Sequence, residues 1–269
     1  MSEQSTDAQT SATNSNAVVT VAAYLSLLAG AALGLLALAG PIATWIGMAD
    51  FRMGFGLLQI VNAWSDWVAG ITLLVAIGIF VYARNKQLGK GGFLAGIALV
   101  GSVIAGLAYI VPETFRPPEG TPAIHDIATN PDAPLQYITI APLRADAANN
   151  MEYGVMPGME PEEHKRLQRE AYPDIVPQEF SDSVSEVFDR ALAAAQSMGW
   201  EIVSADAQIG RIEATDTTFW FRFKDDVVIE VTPTANGNGS VLNARSLSRV
   251  GRSDVGKNAE RLREFFELL

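Results

Sequence analysis

Three long apolar stretches occupy the first 111 residues and separate them from a more polar remainder. They cover residues 17–40, 67–83 and 92–111, and each approaches or exceeds the ~20 residues that a helix needs to cross a bilayer core. The pattern predicts a module of three membrane-spanning helices over residues 17–111. A signal peptide is disfavoured, because the first stretch exceeds the usual apolar region of ~7–15 residues and no Lys or Arg precedes it.

Two shorter segments of this half are predicted to lie outside the spans. Residues 1–16 are rich in Ser, Thr, Asn and Gln and follow neither a helical nor a strand period, which predicts a disordered tail. Residues 53–64 are apolar but too few to cross a bilayer. They are therefore expected to form a re-entrant or surface-lying helix.

The charges of one short loop predict the orientation of the spans. Arg84, Lys86 and Lys90 lie in the loop before the third span, and no Asp or Glu accompanies them. Loops rich in Lys and Arg stay in the cytoplasm. We therefore expect a multi-pass protein of the inner (cell) membrane, with its N-terminus in the cytoplasm and the domain after residue 111 on the periplasmic side.

The second half of the chain follows the pattern of a folded domain. Residues 112–172 are rich in Pro and predict an extended connector with one short helix at 161–169. In residues 173–269 a capping box starts one amphipathic helix at 183, and a second amphipathic helix ends the chain. Five strand-like runs lie between these helices: 200–205, 210–217, 218–224, 227–232 and 241–248. Together with the membrane module, this predicts an α+β domain whose antiparallel sheet has four to five strands, with helices packed on one face.

The distribution of charge along the chain limits the classes of partner. The first 111 residues carry four acidic and four basic side chains, so the whole formal charge of −11 lies in the remainder. An acidic domain repels polyanions, which argues against nucleic acid as a partner. The chain has no Cys, which excludes disulfides, thiol catalysis and thiolate metal sites.

Polar residues cluster in segments 210–226 and 245–254. Strand alternation places Arg211, Glu213 and Thr215 on one face of a strand. Arginines beside hydroxyl groups can receive a carboxylate or a phosphate, whereas the competing interpretation is a set of cross-strand ion pairs. In that case Asp254 caps the final helix. The candidate ligand- or partner-binding residues are Arg211, Thr215, Asp216, Thr217, Trp220, Asp225, Asp226, Arg245, Ser248, Arg249, Asp254 and His125.

The sequence gives little indication that the protein catalyses a reaction. A Ser/His/Asp hydrolase would combine Ser246, Ser248 or Ser253 with His125, but no Gly-x-Ser-x-Gly elbow is present. His125 and His164 with nearby carboxylates are too commonplace to predict a metal site. No catalytic residues, metal or cofactor are therefore predicted. The many aromatic residues of the second half are expected to belong to the hydrophobic core. Alternatively, some of them could line a groove between sheet and helices that holds an acyl chain.

Six motifs of the second half carry a family resemblance. They are the runs 124–127 (IHDI), 169–175 (REAYPDI), 198–200 (MGW), 211–217 (RIEATDT), 223–227 (FKDDV) and 246–251 (SLSRVG). In this order they resemble the family catalogued as domain of unknown function 1499, over roughly residues 120–269. The resemblance implies apolar helices ahead of the domain and no established activity, so it transfers no catalytic residues.

The sequence thus favours a non-catalytic, membrane-anchored domain of the cell envelope. Its expected partners are the lipid bilayer itself and an envelope protein or lipid ligand. The alternative is a hydrolase or transferase that acts on an envelope lipid or a phosphate-bearing substrate.

Overall fold

The computed structural model of the chain describes residues 2–113 and 116–269, with side chains from Asn16 onward. It divides into two compact units, Met1–Arg116 and Pro117–Leu269. The second unit begins before the boundary expected from the sequence, because the Pro-rich segment 117–172 folds together with the sheet. The two units are described separately.

The first unit consists of three helices, α1 (Ser2–Trp45), α2 (Phe51–Asn85) and α3 (Gly91–Glu113). All three are long and apolar enough to cross a membrane, the first over Asn16–Trp45. The prediction of three long apolar helices is therefore confirmed. The polar residues from Ser2 to Asn16, which we expected to be disordered, continue α1 in the structure, because extending an existing helix costs far less than nucleating one.

The prediction of a separate short helix at residues 53–64 is wrong. This segment is the first part of α2, whose 35 residues run without interruption. The Asp50 side chain accepts a hydrogen bond from the Met53 amide at 3.1 Å and so starts the helix. Ser65 and Asp66 follow within it, and neither residue breaks a helix as Pro would.

Small residues bring the three helices into close contact. A Cβ atom at Gly101 of α3 would lie 2.2 Å from the Ser26 carbonyl oxygen of α1. A Cβ at Gly30 would lie 2.0 Å from the Gly101 carbonyl oxygen. The Ser102 hydroxyl donates to the Ala69 carbonyl oxygen of α2 at 2.8 Å. Backbones can approach this closely only where a side chain is missing.

The second unit is built on one antiparallel sheet. Its elements in chain order are β1 (Asp126–Ala128), a 3₁₀ turn (Ala141–Arg144), α4 (Pro161–Ala171), β2 (Gln178–Phe180), α5 (Val184–Ser197), β3 (Glu201–Asp206), β4 (Arg211–Thr217), β5 (Lys224–Pro233), β6 (Ser240–Ser248) and α6 (Lys257–Phe266). The strand order is β1-β6-β5-β4-β3, and β2 pairs with β6 as well. The unit is therefore α+β, as predicted, but with six strands rather than four or five.

Helices α5 and α6 cover one face of the sheet. Phe188 of α5 and Leu262 of α6 are buried against Ile212 and Ile229 of the central strands. Trp200 stacks on Phe265 with ring centroids 5.4 Å apart. The expected packing of helices on one face is thus confirmed, and this layer holds the larger apolar core.

The Pro-rich segment covers the opposite face. Tyr137 and Ile140 are buried there against Val228 of β5 and Leu247 of β6. The predicted short helix of this segment is α4, which lies next to β1. The Gln168 side chain of α4 accepts from the Ala128 amide at 3.0 Å and donates to the Ala128 carbonyl at 2.7 Å. It thereby satisfies the outer edge of β1 as another strand would.

The prediction of a strand over residues 218–224 is wrong for most of its length. The chain turns here between β4 and β5, and Arg222 adopts a φ of 55°. The Thr218 amide donates to the Phe223 carbonyl at 2.8 Å, which closes the turn. Aromatic residues favour strands because they suit a half-buried pleated surface, but here they form a loop. The three-residue strands β1 and β2 are too short for a sequence pattern to show.

We expect Gly101→Ala to separate α1 from α3, because the new methyl group would meet backbone that cannot rotate away. Overpacking of this kind costs about 1–3 kcal/mol. Thermal unfolding of the full-length protein in lipid nanodiscs would measure the loss.

Gly96→Ala is the matched control on the same helix, since no described atom lies within 4 Å of its added Cβ. It should be neutral or slightly stabilising, because Ala favours helix over Gly. Equal unfolding temperatures for the two variants would contradict the packing.

Candidate functional site

The candidate residues of β4, β5 and β6 lie on both faces of the sheet. Most of them lie near the end where β4 turns into β5, whereas Arg211 lies at the other end of β4. Alternation along the strands decides the face of each side chain. Arg211, Thr215, Asp226, Arg245 and Arg249 point to the face covered by the Pro-rich segment. The prediction that Arg211, Glu213 and Thr215 share one face is confirmed. Asp216, Asp225 and Ser248 point to the opposite face, where α6 lies.

The Asp226 carboxylate is the most heavily bonded group of the first face. Its side chain is 0% exposed and pairs with both Arg144 and Arg249. Arg249 donates to the two carboxylate oxygens from Nε and Nη2 at 2.9 Å each. The Thr215 hydroxyl adds a fourth hydrogen bond at 2.7 Å. Every acceptor direction of this carboxylate is used within the protein, because two oxygens offer about four lone-pair sites.

Arg245 is likewise bonded internally. It is 0% exposed and donates to both Asp126 oxygens at 2.9 and 2.8 Å. It also donates to the Leu135 and Met151 carbonyls at 2.7 and 2.6 Å. Burial lowers the pKa of Arg245, but the facing Asp126 carboxylate outweighs it and leaves the pKa raised. The guanidinium therefore stays charged and joins the Pro-rich segment to β6.

Arg211 and Glu213 form a third connection on this face. Arg211 donates to Glu213 at 3.1 Å, to Glu230 at 2.9 Å and to the carbonyl of Gln136. Glu213 in turn accepts from the Ile138 and Ile140 amides at 2.8 Å each. A carboxylate that receives backbone amides holds a segment without regular structure in place, since those amides have no strand partner.

A second polar cluster lies under α6, and its central residue was missed by the sequence. Arg261 donates to Asp225 at 2.6 Å, to Asp216 at 2.9 Å and to the Ser246 hydroxyl at 3.1 Å. The Asn258 amide group donates to the Ser248 hydroxyl at 3.0 Å. An Arg on the inner face of a short amphipathic helix indicates that a carboxylate of the sheet faces it. Here two carboxylates face Arg261, those of Asp216 and Asp225.

Asp254 caps α6 as expected. Its carboxylate accepts the Gly256 and Asn258 amides at 2.8 and 2.9 Å. Burial raises the pKa of Asp254 to about 6, although these amides act to lower it. The residue therefore serves the helix N-terminus rather than an arginine.

The remaining candidates are not partners in the arginine–carboxylate pairs. The His125 ring is buried, with Nδ1 3.3 Å from the Arg252 carbonyl oxygen, and burial lowers its pKa. Thr217 ends β4, and Trp220 belongs to the turn that follows. The structure thus divides the candidate set among the two faces of the sheet, the α6 N-terminus and the loop.

The arrangement gives little support to hydrolysis. The Ser246 hydroxyl donates to Asn258 at 2.7 Å, and the Ser248 hydroxyl accepts from the same residue. The His125 ring faces a backbone carbonyl instead, so the base that a serine nucleophile requires is not positioned. In the part of the chain that the structure describes, no three His, Asp or Glu side chains are grouped to hold a metal ion.

An open groove lies at the sheet edge where β1 and β2 meet β6. Its volume is about 450 Å³. β1 pairs with residues 245–247 of β6 and β2 with residues 240–242, so the chain leaves the edge between them. The apolar lining comes from Pro131, Tyr172, Ile175, Val176 and Pro177, with Arg169 also present.

We expect Asp226→Asn to destabilise the second unit by about 3–5 kcal/mol, because it leaves the buried Arg144 and the half-buried Arg249 without a counter-charge. Urea unfolding of the full-length protein would measure the loss of stability. Hydrogen exchange of peptides from β5 would report the unfolding of the second unit.

Asp132→Asn is the matched control. Its carboxylate pairs with Arg169 at 2.5 Å, but both side chains are largely exposed, at 69% and 52%. Such pairs contribute little to stability. If Asp226→Asn were as stable as the control, the ion pair would not hold the fold together.

His164 of α4 is the other buried titratable group that stands out. It is 0% exposed, and neither ring nitrogen has a hydrogen-bond partner among the described residues. The ring meets Tyr153 edge-on at 5.0 Å. Burial lowers its pKa from the ordinary 6.5 to about 4, so the folded protein holds this ring neutral where the unfolded chain would bind a proton.

We expect His164→Phe to become more stable relative to the natural protein as the pH falls from 6.5 to 4. In this window the unfolded natural chain gains a proton at His164 and the folded chain does not, which removes up to roughly 3 kcal/mol. Unfolding free energies at several pH values would show it. Asp254, with its raised pKa, shifts stability in the opposite direction in both proteins, so the difference isolates His164. Parallel pH profiles would contradict this assignment.

Comparison with known proteins places the second unit in a family. No curated protein and no solved structure matches the chain. One family model does, described as "Protein of unknown function (DUF1499)", and it matches residues 126–269. The match begins at β1 and includes both polar clusters, the groove and α6. Since it covers more than half of the residues, the chain belongs to the DUF1499 family of proteins of unknown function.

Proposed function

We propose that the chain is a non-catalytic, membrane-anchored domain of the cell envelope that binds a protein partner. The main support for this proposal is that the buried arginines form their ion pairs within the domain. Arg144, Arg211, Arg245 and Arg261 are buried, and each donates to carboxylates of the same unit. Groups bonded in this way build a rigid support and are poorly available to a phosphate or carboxylate ligand.

The surface charge favours a basic partner. The buried arginines are offset by buried carboxylates such as Asp126, Glu213, Asp225 and Asp226. The excess negative charge of the domain is therefore carried by its exposed residues. Anionic lipid headgroups would be repelled from most of this surface, whereas a basic protein would be attracted.

The groove at the sheet edge is the proposed binding site. Val176 is 47% exposed beside the buried Ile175. Four acidic residues occur in segments 129–132 and 168–179, which contribute the lining. Three of them pair with arginines: Asp132 with Arg169, Glu170 with Arg166 and Asp174 with Arg263. An apolar centre with a charged rim suits a partner segment that presents apolar side chains flanked by polar ones.

The proposed location follows from the basic loop between α2 and α3. With Arg84, Lys86 and Lys90 in the cytoplasm, the N-terminus is cytoplasmic and the second unit is periplasmic, on the outer face of the inner membrane. Because the chain has no Cys, a single Cys in place of Gln87 or Asn238 can be labelled from one side of intact cells. Labelling of both positions by a membrane-impermeant maleimide would contradict this orientation.

We expect Val176→Glu to abolish partner binding without unfolding the domain, because apolar side chains of the partner would bury the new carboxylate without a counter-charge. The measurement is native mass spectrometry of full-length protein gently extracted from its own membrane. A partner of defined stoichiometry should accompany the natural protein, be released by salt, and be missing from the variant.

Ile209→Glu is the matched control. Ile209 is 58% exposed and lies in the turn between β3 and β4, away from the groove lining. It should retain the partner. Loss from both variants, or a retained phospholipid in place of a protein, would overturn the proposed site or its occupant.

A further inference from the structure

The turn between β4 and β5 is unusually rich in aromatic residues. Residues 218–223 read Thr-Phe-Trp-Phe-Arg-Phe. Phe219 is 64% exposed and Trp220 is 37% exposed. Their rings meet edge-on at 5.3 Å, while Phe221 and Phe223 stack at 5.9 Å. We call residues 218–223 the aromatic loop.

The backbone of the aromatic loop is closely held. The Thr218 carbonyl accepts the Arg222 amide at 3.1 Å, and the Thr218 hydroxyl accepts the Phe223 amide at 2.9 Å. Arg222 adopts the left-handed region with a φ of 55°, a conformation that is uncommon for a residue other than Gly. The loop therefore presents its aromatic rings in a fixed arrangement at the end of a hairpin.

The surroundings of the loop are basic, although the domain as a whole is acidic. Segments 218–225 and 249–257 together contain five Lys or Arg residues and two Asp residues. Both Asp residues, Asp225 and Asp254, are buried in the interactions already described. Arg222, Lys224 and Arg252 are exposed. The exposed charged residues of these two segments are therefore basic.

The chain also enters the second unit at this end. Asp126, the first residue of β1, pairs with Leu247, which also pairs with Asp226 at the start of β5. The carbonyl oxygen of Ile124, two residues before β1, accepts a hydrogen bond from the Asp254 amide at 3.0 Å. Since the chain arrives from α3, whose last residue is Glu113, the aromatic loop lies at the end of the sheet where this chain enters.

We propose that the aromatic loop inserts into the headgroup region of the bilayer that holds the apolar helices. Trp and Phe rings favour the boundary between headgroups and acyl chains. Arg and Lys beside them can lay their aliphatic stems on apolar material and pair with lipid phosphates. Insertion would fix the orientation of the domain and turn the β5–β6 hairpin away from the membrane.

Site-directed spin labelling tests the proposal, because the chain has no Cys of its own. Phe219→Cys and Asn238→Cys would each carry one nitroxide in the full-length protein, reconstituted in phosphatidylcholine vesicles. Asn238 is the control, since it lies in the β5–β6 hairpin at the other end of the sheet. Oxygen, which concentrates in lipid, and a water-soluble nickel chelate would be compared as relaxing agents.

We expect the label at 219 to show a several-fold higher ratio of oxygen to nickel accessibility than the label at 238. Equal ratios would overturn the proposal, and so would a label at 219 that neither agent reaches, because it would lie against protein. Added phosphatidylglycerol should deepen the label at 219, and an unchanged depth would reject the role of the cations. The outcome does not depend on the groove, so it stands or falls separately from the proposed partner.

Discussion

The buried pairing of Asp226 with Arg144 and Arg249 is the interaction on which the second unit depends. It joins β5 to the 3₁₀ turn of the Pro-rich segment and to the end of β6, and Thr215 adds β4. A buried charge is tolerable only when its partners are complete. The requirement therefore links segments up to 82 residues apart, and it fixes the Pro-rich segment to the face of the sheet opposite α5 and α6.

The sequence predicts those parts of the fold that repeat locally. Apolar length reveals the three long helices, and period-two alternation places Arg211, Glu213 and Thr215 on one face. It fails where one local pattern has two meanings, as at residues 218–223, whose aromatic residues form a loop rather than a strand. The sequence also does not show which charged residues will pair with one another. Nothing near Arg261 or Arg144 in the chain shows that Asp225 or Asp226 will face it, because those contacts exist only after the sheet is assembled.

The polar residues that stabilise this fold also differ from those that the domain exposes to a partner. The arginines and carboxylates that resembled a ligand site satisfy one another on both faces of the sheet. What the domain presents outward is different in kind: an acidic surface with an apolar groove at one edge, and a loop rich in aromatic and basic residues at the end of the sheet where the chain enters from α3. This division supports a domain that is held at a bilayer and recognises a partner, and it gives no support to a reaction centre.

The buried ion pairs make the Pro-rich segment an integral layer of the domain. Hydrogen exchange of the unmodified full-length protein in lipid nanodiscs can detect this at the Ile138 and Ile140 amides, which donate to Glu213. We expect these amides to exchange as slowly as those of β5. Exchange within seconds, as in an extended linker, would show that the ion pairs do not hold the segment on the sheet.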